Sequence, residues 1–258
     1  MNHTSEAFVT SPLLSALPNV AHAFSTRRGG VSRGAFASLN LSHGRDDSRS
    51  VVVNRARLAE AAGLRGPWVE VRQVHGSRVV DAAGVAPSTE ADAIVVREPG
   101  VFAAVRTADC VPVLMVAIDA EGRPAAAAAV HAGWRGAVAG VVSRAIEALD
   151  RLGHPPGRLR VATGPAISVR YFEVGDEVIE AATTALGGRP PPARPGARGR
   201  SHLDLPALVA LQLRAAGVEP GHLDISTACT FGEADRFFSH RRQRGRCGHH
   251  LSLVGFAT

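Results

Sequence analysis

The chain has 258 residues, 45% of them hydrophobic, enough to bury a full core and close to the upper size of one domain. No stretch reaches the roughly 18 to 20 uninterrupted apolar residues of a membrane helix, and the polar opening 1–6 lacks a signal core, so neither membrane insertion nor export is expected. The net charge of +6 rests on 29 basic residues, all of them arginine, against 23 acids; Schiff-base, pyridoxal phosphate and lysine-dependent phosphate-loop chemistry are excluded, and without a long basic tract nucleic acid is not the expected partner.

Residues 20–26 alternate like a strand, and Arg27, Arg28, Gly29 and Gly30 then supply a turn that exposes backbone amides. Asp46, Asp47 and Ser48 are able to cap a helix over 50–62 whose Val52, Leu58 and Ala61 share one face. Residues 68–74 read as a strand ending at His75 and Gly76. The short apolar runs 93–96, 101–106, 111–118 and 125–130 are each bounded by Gly, Pro or Asp and read as buried strands of the core sheet. Helices are expected over 137–152, 175–186 and 205–216, strands over 159–163 and 223–228, and a Pro-, Gly- and Arg-rich surface loop over 187–200. Strands and helices mix without a regular beta-alpha repeat, which favours a layered α+β fold in one compact domain.

Cys110, Cys229 and Cys247 form an odd, widely spaced set, unlike a disulfide framework, so a reducing cytoplasmic setting is expected. Three polar residues stand at the ends of apolar strands: His75, Cys110 in Thr107-Ala-Asp-Cys, and His131. Two imidazoles and a thiolate suit zinc, and three protein ligands leave a fourth position open, as in catalytic sites. The spacings of 35 and 21 residues match no short metal motif, so a core thiol with two backbone-satisfied histidines is the better account from spacing alone.

Ser25-Thr-Arg-Arg-Gly-Gly-Val-Ser, Ser38-Leu-Asn-Leu, Gln73-Val-His-Gly, Thr107-Ala-Asp-Cys, His131-Ala-Gly-Trp-Arg-Gly, Gly164-Pro-Ala-Ile and Phe237-Phe-Ser-His-Arg-Arg occur in order over nearly the whole chain. Together they resemble the multicopper polyphenol oxidoreductase, or laccase domain, family. The resemblance implies a single α/β/β/α sandwich with a mixed sheet, related to the catalytic domain of cytotoxic necrotizing factor, and metal ligands at His75, Cys110 and His131. It further implies a purine nucleoside phosphorylase that also deaminates adenosine and cleaves methylthioadenosine, or else the cytoplasmic peptidoglycan-precursor editing hydrolase that some bacterial members are called.

In that reading zinc would bring a bound water to a pKa near about 7, suited to attack on C6 of adenine. Phosphorolysis needs an anion site, which Arg27, the glycine turn beside it and Arg135 are expected to supply. Asn40 is expected either to bond a ribose or base edge or to cap a loop, and Asp109 to orient a ligand imidazole. A true polyphenol oxidase needs several coppers and many histidines; here one His, Cys, His set is available, although such a site would still accept copper. Two rivals stand beside the zinc enzyme: a cysteine hydrolase with Cys110 as nucleophile and His131 as base, and a zinc-stabilised binding module. Near the C terminus Gln243, Cys247 and His249 stand where relatives carry an acid, a threonine and an arginine.

Overall fold

The computed structural model describes residues 6–86 and 88–257, so most of the polar opening lies outside the described residues. A five-stranded sheet runs, from edge to edge, through Phe8–Val9, Val20–Ser25, His250–Phe256, Phe102–Thr107 and Trp68–Val69. A six-stranded sheet runs through Leu223–Ile225, Leu159–Thr163, Val111–Ile118, Pro124–Ala132, Ala93–Val96 and Val79–Asp81. Both mix parallel and antiparallel neighbours.

The alternation of side chains along each strand dictates how these sheets are covered. Along Val111–Ile118, Val113 and Met115 face a cluster shared with the helices Val141–Arg151, Asp176–Ala185 and Leu205–Ala215. Leu114 and Val116 point the other way, into a second cluster with Phe24, Val105 and Val254 of the five-stranded sheet. The alanine run divides alike: Ala126 and Ala128 face the helices, Ala127 and Ala129 the opposite sheet. The far face of the five-stranded sheet packs Ala23, Leu251 and Leu253 against Leu58 of the helix Ser48–Ala61. The result is the expected α/β/β/α layering, with helices closing both outer faces.

Several local expectations change. The helix Ser48–Ala61 is capped by Asp47, whose side chain accepts from the Ser50 amide, but it buries Val51, Asn54 and Leu58, while Val52 is exposed. The predicted helix over 137–152 is two helices, Trp134–Val138 and Val141–Arg151, because Gly140 sits at φ 80° between them, a left-handed turn that breaks the ladder. The loop 187–200 contains the strand Ala193–Pro195, which pairs with Ser201–Leu203 in a small three-stranded sheet. Only Trp68–Val69 of the strand expected over 68–74 forms; beyond it Val74, His75 and Gly76 turn their amides onto the Asp92 carboxylate, and His75 adopts φ 59°.

Candidate metal centre and its cavity

Strand register explains how residues far apart in sequence meet. Val111–Ile118 and Pro124–Ala132 are antiparallel, with Val111 opposite Ala132 and Pro112 opposite His131, so the start of one strand lies beside the end of the other. Cys110 precedes the first and His131 stands near the end of the second. Ala93 pairs with Val130, which sets Asp92 beside His131, and the His131 amide donates to the Asp92 carbonyl at 2.7 Å.

His75, Cys110 and His131 thus converge, their candidate donor atoms all within 4.8 Å of one another. Cys110 Sγ lies 3.9 Å from His75 Nε2, and the two imidazole centroids are 4.8 Å apart in an edge-to-face arrangement. Donors around one tetrahedral zinc would stand roughly 3.3 to 3.7 Å apart, so small side-chain shifts would bring this cluster to that spacing. Gly133 leaves the necessary room: a Cβ there would come 2.8 Å from His75 Cδ2 and 3.1 Å from Cys110 Sγ.

The fully buried Asp92 organises the cluster. Its Oδ1 is 2.7 Å from His131 Nδ1, and its carboxylate accepts from the Val74, His75 and Gly76 amides at 3.2, 3.0 and 2.7 Å. One carboxylate therefore fixes the loop that carries His75 and presents the other nitrogen of His131 to the cluster. Burial alone would raise the Asp92 pKa, but the bonds from His131 and Gly76 outweigh it and hold the carboxyl below its ordinary range. For Cys110, burial is likewise outweighed, first by the positive charge on His131 and then by hydrogen bonds from both histidines, bringing the thiol down to about 6. His131 is raised to about 9 against burial, chiefly by the Cys110 charge and the Asp92 bond. The thiol is disposed to be a thiolate, the form that binds a metal or attacks carbon.

Asp109 does not reach either imidazole. At φ 94° its carboxylate accepts from the Thr230 and Ser239 hydroxyls and the Arg241 amide, fixing the strained turn before Cys110 and tying it to the 239–241 segment. The orienting role expected of it falls to Asp92, which the sequence reading missed. Asn40 is also fully engaged: it donates to the Ser42 carbonyl and Asp46, and accepts from the Ser42 and His249 amides. It braces a loop and offers no free edge, the second of its two expected roles. Arg27 is consumed by carbonyls, with Nε and one terminal nitrogen on Ala37 and the other on Ala234, and its guanidinium stacks on Phe238. It does not line the metal-site cavity.

That cavity, about 580 Å³, has the three candidate ligands among its lining residues. Arg106, Arg135 and Arg241 face it, as do His240, from the Phe237-Phe-Ser-His-Arg-Arg motif, and His249, which stands where relatives carry an arginine. Trp134, Ile167, Phe172 and Leu205 give it an apolar side. Arg135 is exposed and stacks on Trp134 at 4.4 Å; among the described residues it has no ion-pair partner. Among the described residues Asp109, already engaged, is the one acid on the lining. The lining therefore combines three guanidinium groups, of which Arg106 is paired with Glu70 at 3.5 Å, with apolar side chains.

A layered α+β sandwich with a metal-competent His, Cys, His cluster under a cationic cavity is the class these observations define. A family model described as multi-copper polyphenol oxidoreductase laccase matches residues 21–257, and the chain belongs to that family. It is 42% identical to a purine nucleoside phosphorylase of Deinococcus radiodurans over 95% of this chain and 92% of that one. A purine nucleoside phosphorylase of Pseudomonas aeruginosa is 43% identical over 89% of this chain and 90% of its own. Among solved structures, YlmD from Geobacillus stearothermophilus superposes with a TM-score of 0.87 at 33% identity, covering 98% of this chain and all of that one. Among the described residues, no helix is long and apolar enough to cross a membrane.

Proposed function

We propose that this chain is a cytoplasmic, zinc-dependent purine nucleoside phosphorylase acting on adenosine, inosine and methylthioadenosine, with adenosine deaminase activity. The observation that carries the reading is the convergence of His75, Cys110 and His131, oriented by buried Asp92, at a cavity lined by three arginines. The 42–43% identity to proteins named purine nucleoside phosphorylase supports the substrate class.

The donor set fits zinc in kind, and His131, with Nδ1 engaged by Asp92, has its Nε2 available to the site. Zinc held by these three side chains would supply Lewis acidity to the cavity. Phe172, Trp134 and Ile167 offer an apolar wall for the flat purine. Arg106, Arg135 and Arg241 hold the phosphate, in place of the Arg27 expected from sequence. Arg241 is positioned for this by its own amide on Asp109 and its Nη1 on the Glu173 carbonyl, 2.8 Å away. As phosphate attacks C1′, the purine leaves with the bond electrons, and a proton must reach its ring nitrogen; His240 lines the same space and is the candidate to deliver it.

Three free cysteines accord with a reducing compartment. Copper would bind the same donors, but one three-residue cluster among the described residues is not the set of centres a multicopper oxidase requires.

The Cys110–His131 pair favours one second reading, a hydrolase of cell-wall precursors with Cys110 as nucleophile. Incubating metal-quantified protein with adenosine, with and without phosphate, separates them. Phosphate-dependent adenine and ribose 1-phosphate, or inosine, support the proposal; no turnover at full zinc occupancy sinks it.

A further inference from the structure

The metal-site cavity does not end at His249. Ser42, His240 and His249 line it and also line an adjoining cavity of about 350 Å³, whose other walls include Asn40, His43, Arg45 and Cys247. Arg45 and His240 in turn belong to an outer, open depression with Arg244 and Arg246. Shared lining residues join the three spaces outward from the His75–Cys110–His131 cluster, with His240 common to all of them.

The chemistry of the outer spaces is one-sided. Arg45, Arg244 and Arg246 are exposed, and among the described residues no Asp or Glu lines either outer space. Among the described residues none of these three arginines has an ion-pair partner. The nearest acid in sequence, Asp46, already accepts from Ser32 and Asn40. The cations are also held together: Arg45 donates to the Gly245 carbonyl at 2.9 Å, joining the 43–45 loop to the 244–246 turn, and Arg244 adopts φ 50° within that turn. Burial and the neighbouring Arg106, His240 and Arg45 push the His249 pKa down to about 4, so a neutral imidazole stands at the join between inner and outer spaces. The annex has no nucleophile to offer: burial first, then Asp109, pushes the Cys247 thiol up to about 11. Its part is binding.

We infer that this basic annex takes an anionic arm of the substrate, so that the site accepts a purine nucleoside carrying a phosphate ester, a nucleotide, in preference to the bare nucleoside. The inference rests on the nucleoside reading of the inner cavity. Guanidinium groups without acidic partners favour phosphate, and a phosphate ester reaching past His249 would gain contacts that adenosine cannot make.

The test is competitive calorimetry on the zinc-loaded full chain with adenosine, adenosine 5′-monophosphate and inorganic phosphate as separate probes. Adenosine 5′-monophosphate should bind about tenfold more tightly than adenosine, and raising the salt from 0.05 to about 0.5 M should erase most of that ratio. The doubly substituted Arg244→Ala, Arg246→Ala chain should also lose the ratio. Equal affinities overturn the proposal, as does a preference that survives both high salt and the double substitution. Tight binding of inorganic phosphate that depends on Arg244 and Arg246, without any preference for the nucleotide, also overturns it, because the annex would then be an entry for free phosphate. Binding is read without turnover, so failure of the phosphorylase reading would show separately, as binding without products.

Discussion

Asp92 Oδ1 lies 2.7 Å from His131 Nδ1, and the same carboxylate accepts three consecutive backbone amides from the loop that carries His75. Two candidate ligands from different parts of the chain are thereby set by one buried side chain. Asp92→Asn keeps the shape but puts an amide where three backbone donors converge, and should weaken zinc about 10- to 100-fold. Competition against a chelator of known affinity measures this. Unchanged affinity would mean that the carboxylate serves folding alone.

Gly133 makes a separate prediction, since its φ is ordinary at −71° and only space is at issue. In Gly133→Ala the added methyl presses on His75 and Cys110. Zinc stoichiometry should fall well below one per chain, while the unfolding midpoint in urea shifts by no more than about 1–2 kcal/mol equivalent. Retained full occupancy would show that the cluster can open without cost.

Acid sensitivity follows from two buried imidazoles that accept backbone amides: His22 Nε2 from Ser11, and His250 Nε2 from Phe238, both at 2.8 Å. Burial lowers His22 to about 4 and His250 to about 3. Between about 6.5 and these values the unfolded chain takes up protons that the folded chain refuses, so stability is full above about 6.5 and drains as the pH falls toward 4. Urea unfolding at pH 7 and 4.5 should differ by a few kcal/mol, as an order of magnitude, and His22→Gln should reduce the difference. An identical difference in the variant would remove His22 from the account.

Arg27 and Arg135 should part company. Arg27→Ala strips hydrogen bonds from the Ala37 and Ala234 carbonyls and should lower stability by about 2–3 kcal/mol, with little change in the KM for phosphate at low temperature. Arg135→Ala, removing an exposed side chain, should leave the melting temperature near the parent value and raise that KM several-fold. The reverse pattern would restore Arg27 as the anion ligand.

The strands were legible where both faces are buried, because such segments read as continuous apolar runs: 93–96, 111–118 and 159–163 match the observed bounds. The 68–74 segment read as a strand by the same signal and failed, since nothing in its own residues reveals that a carboxylate 18 positions after Val74 would capture the amides there. The three candidate ligands were visible as polar residues at strand ends, and antiparallel register is what brings Cys110 and His131 together. Asp92 was passed over as a residue bounding an apolar run, although an acid directly before a fully buried strand was a usable signal. The arginines were harder to sort: with every basic residue an arginine, composition does not separate Arg27, saturated by carbonyls, from Arg106 and Arg241, which face the cavity.

The central claim is that the His75, Cys110 and His131 cluster is a metal centre on which nucleoside turnover depends. Zinc titrated into metal-stripped protein, with adenosine phosphorolysis followed at each addition, tests it most directly. Activity should rise linearly and break at one zinc per chain, and Cys110→Ala should neither bind the equivalent nor turn over. Full activity in the stripped protein, abolished by alkylation of Cys110 and indifferent to zinc, would contradict the account and make Cys110 the nucleophile.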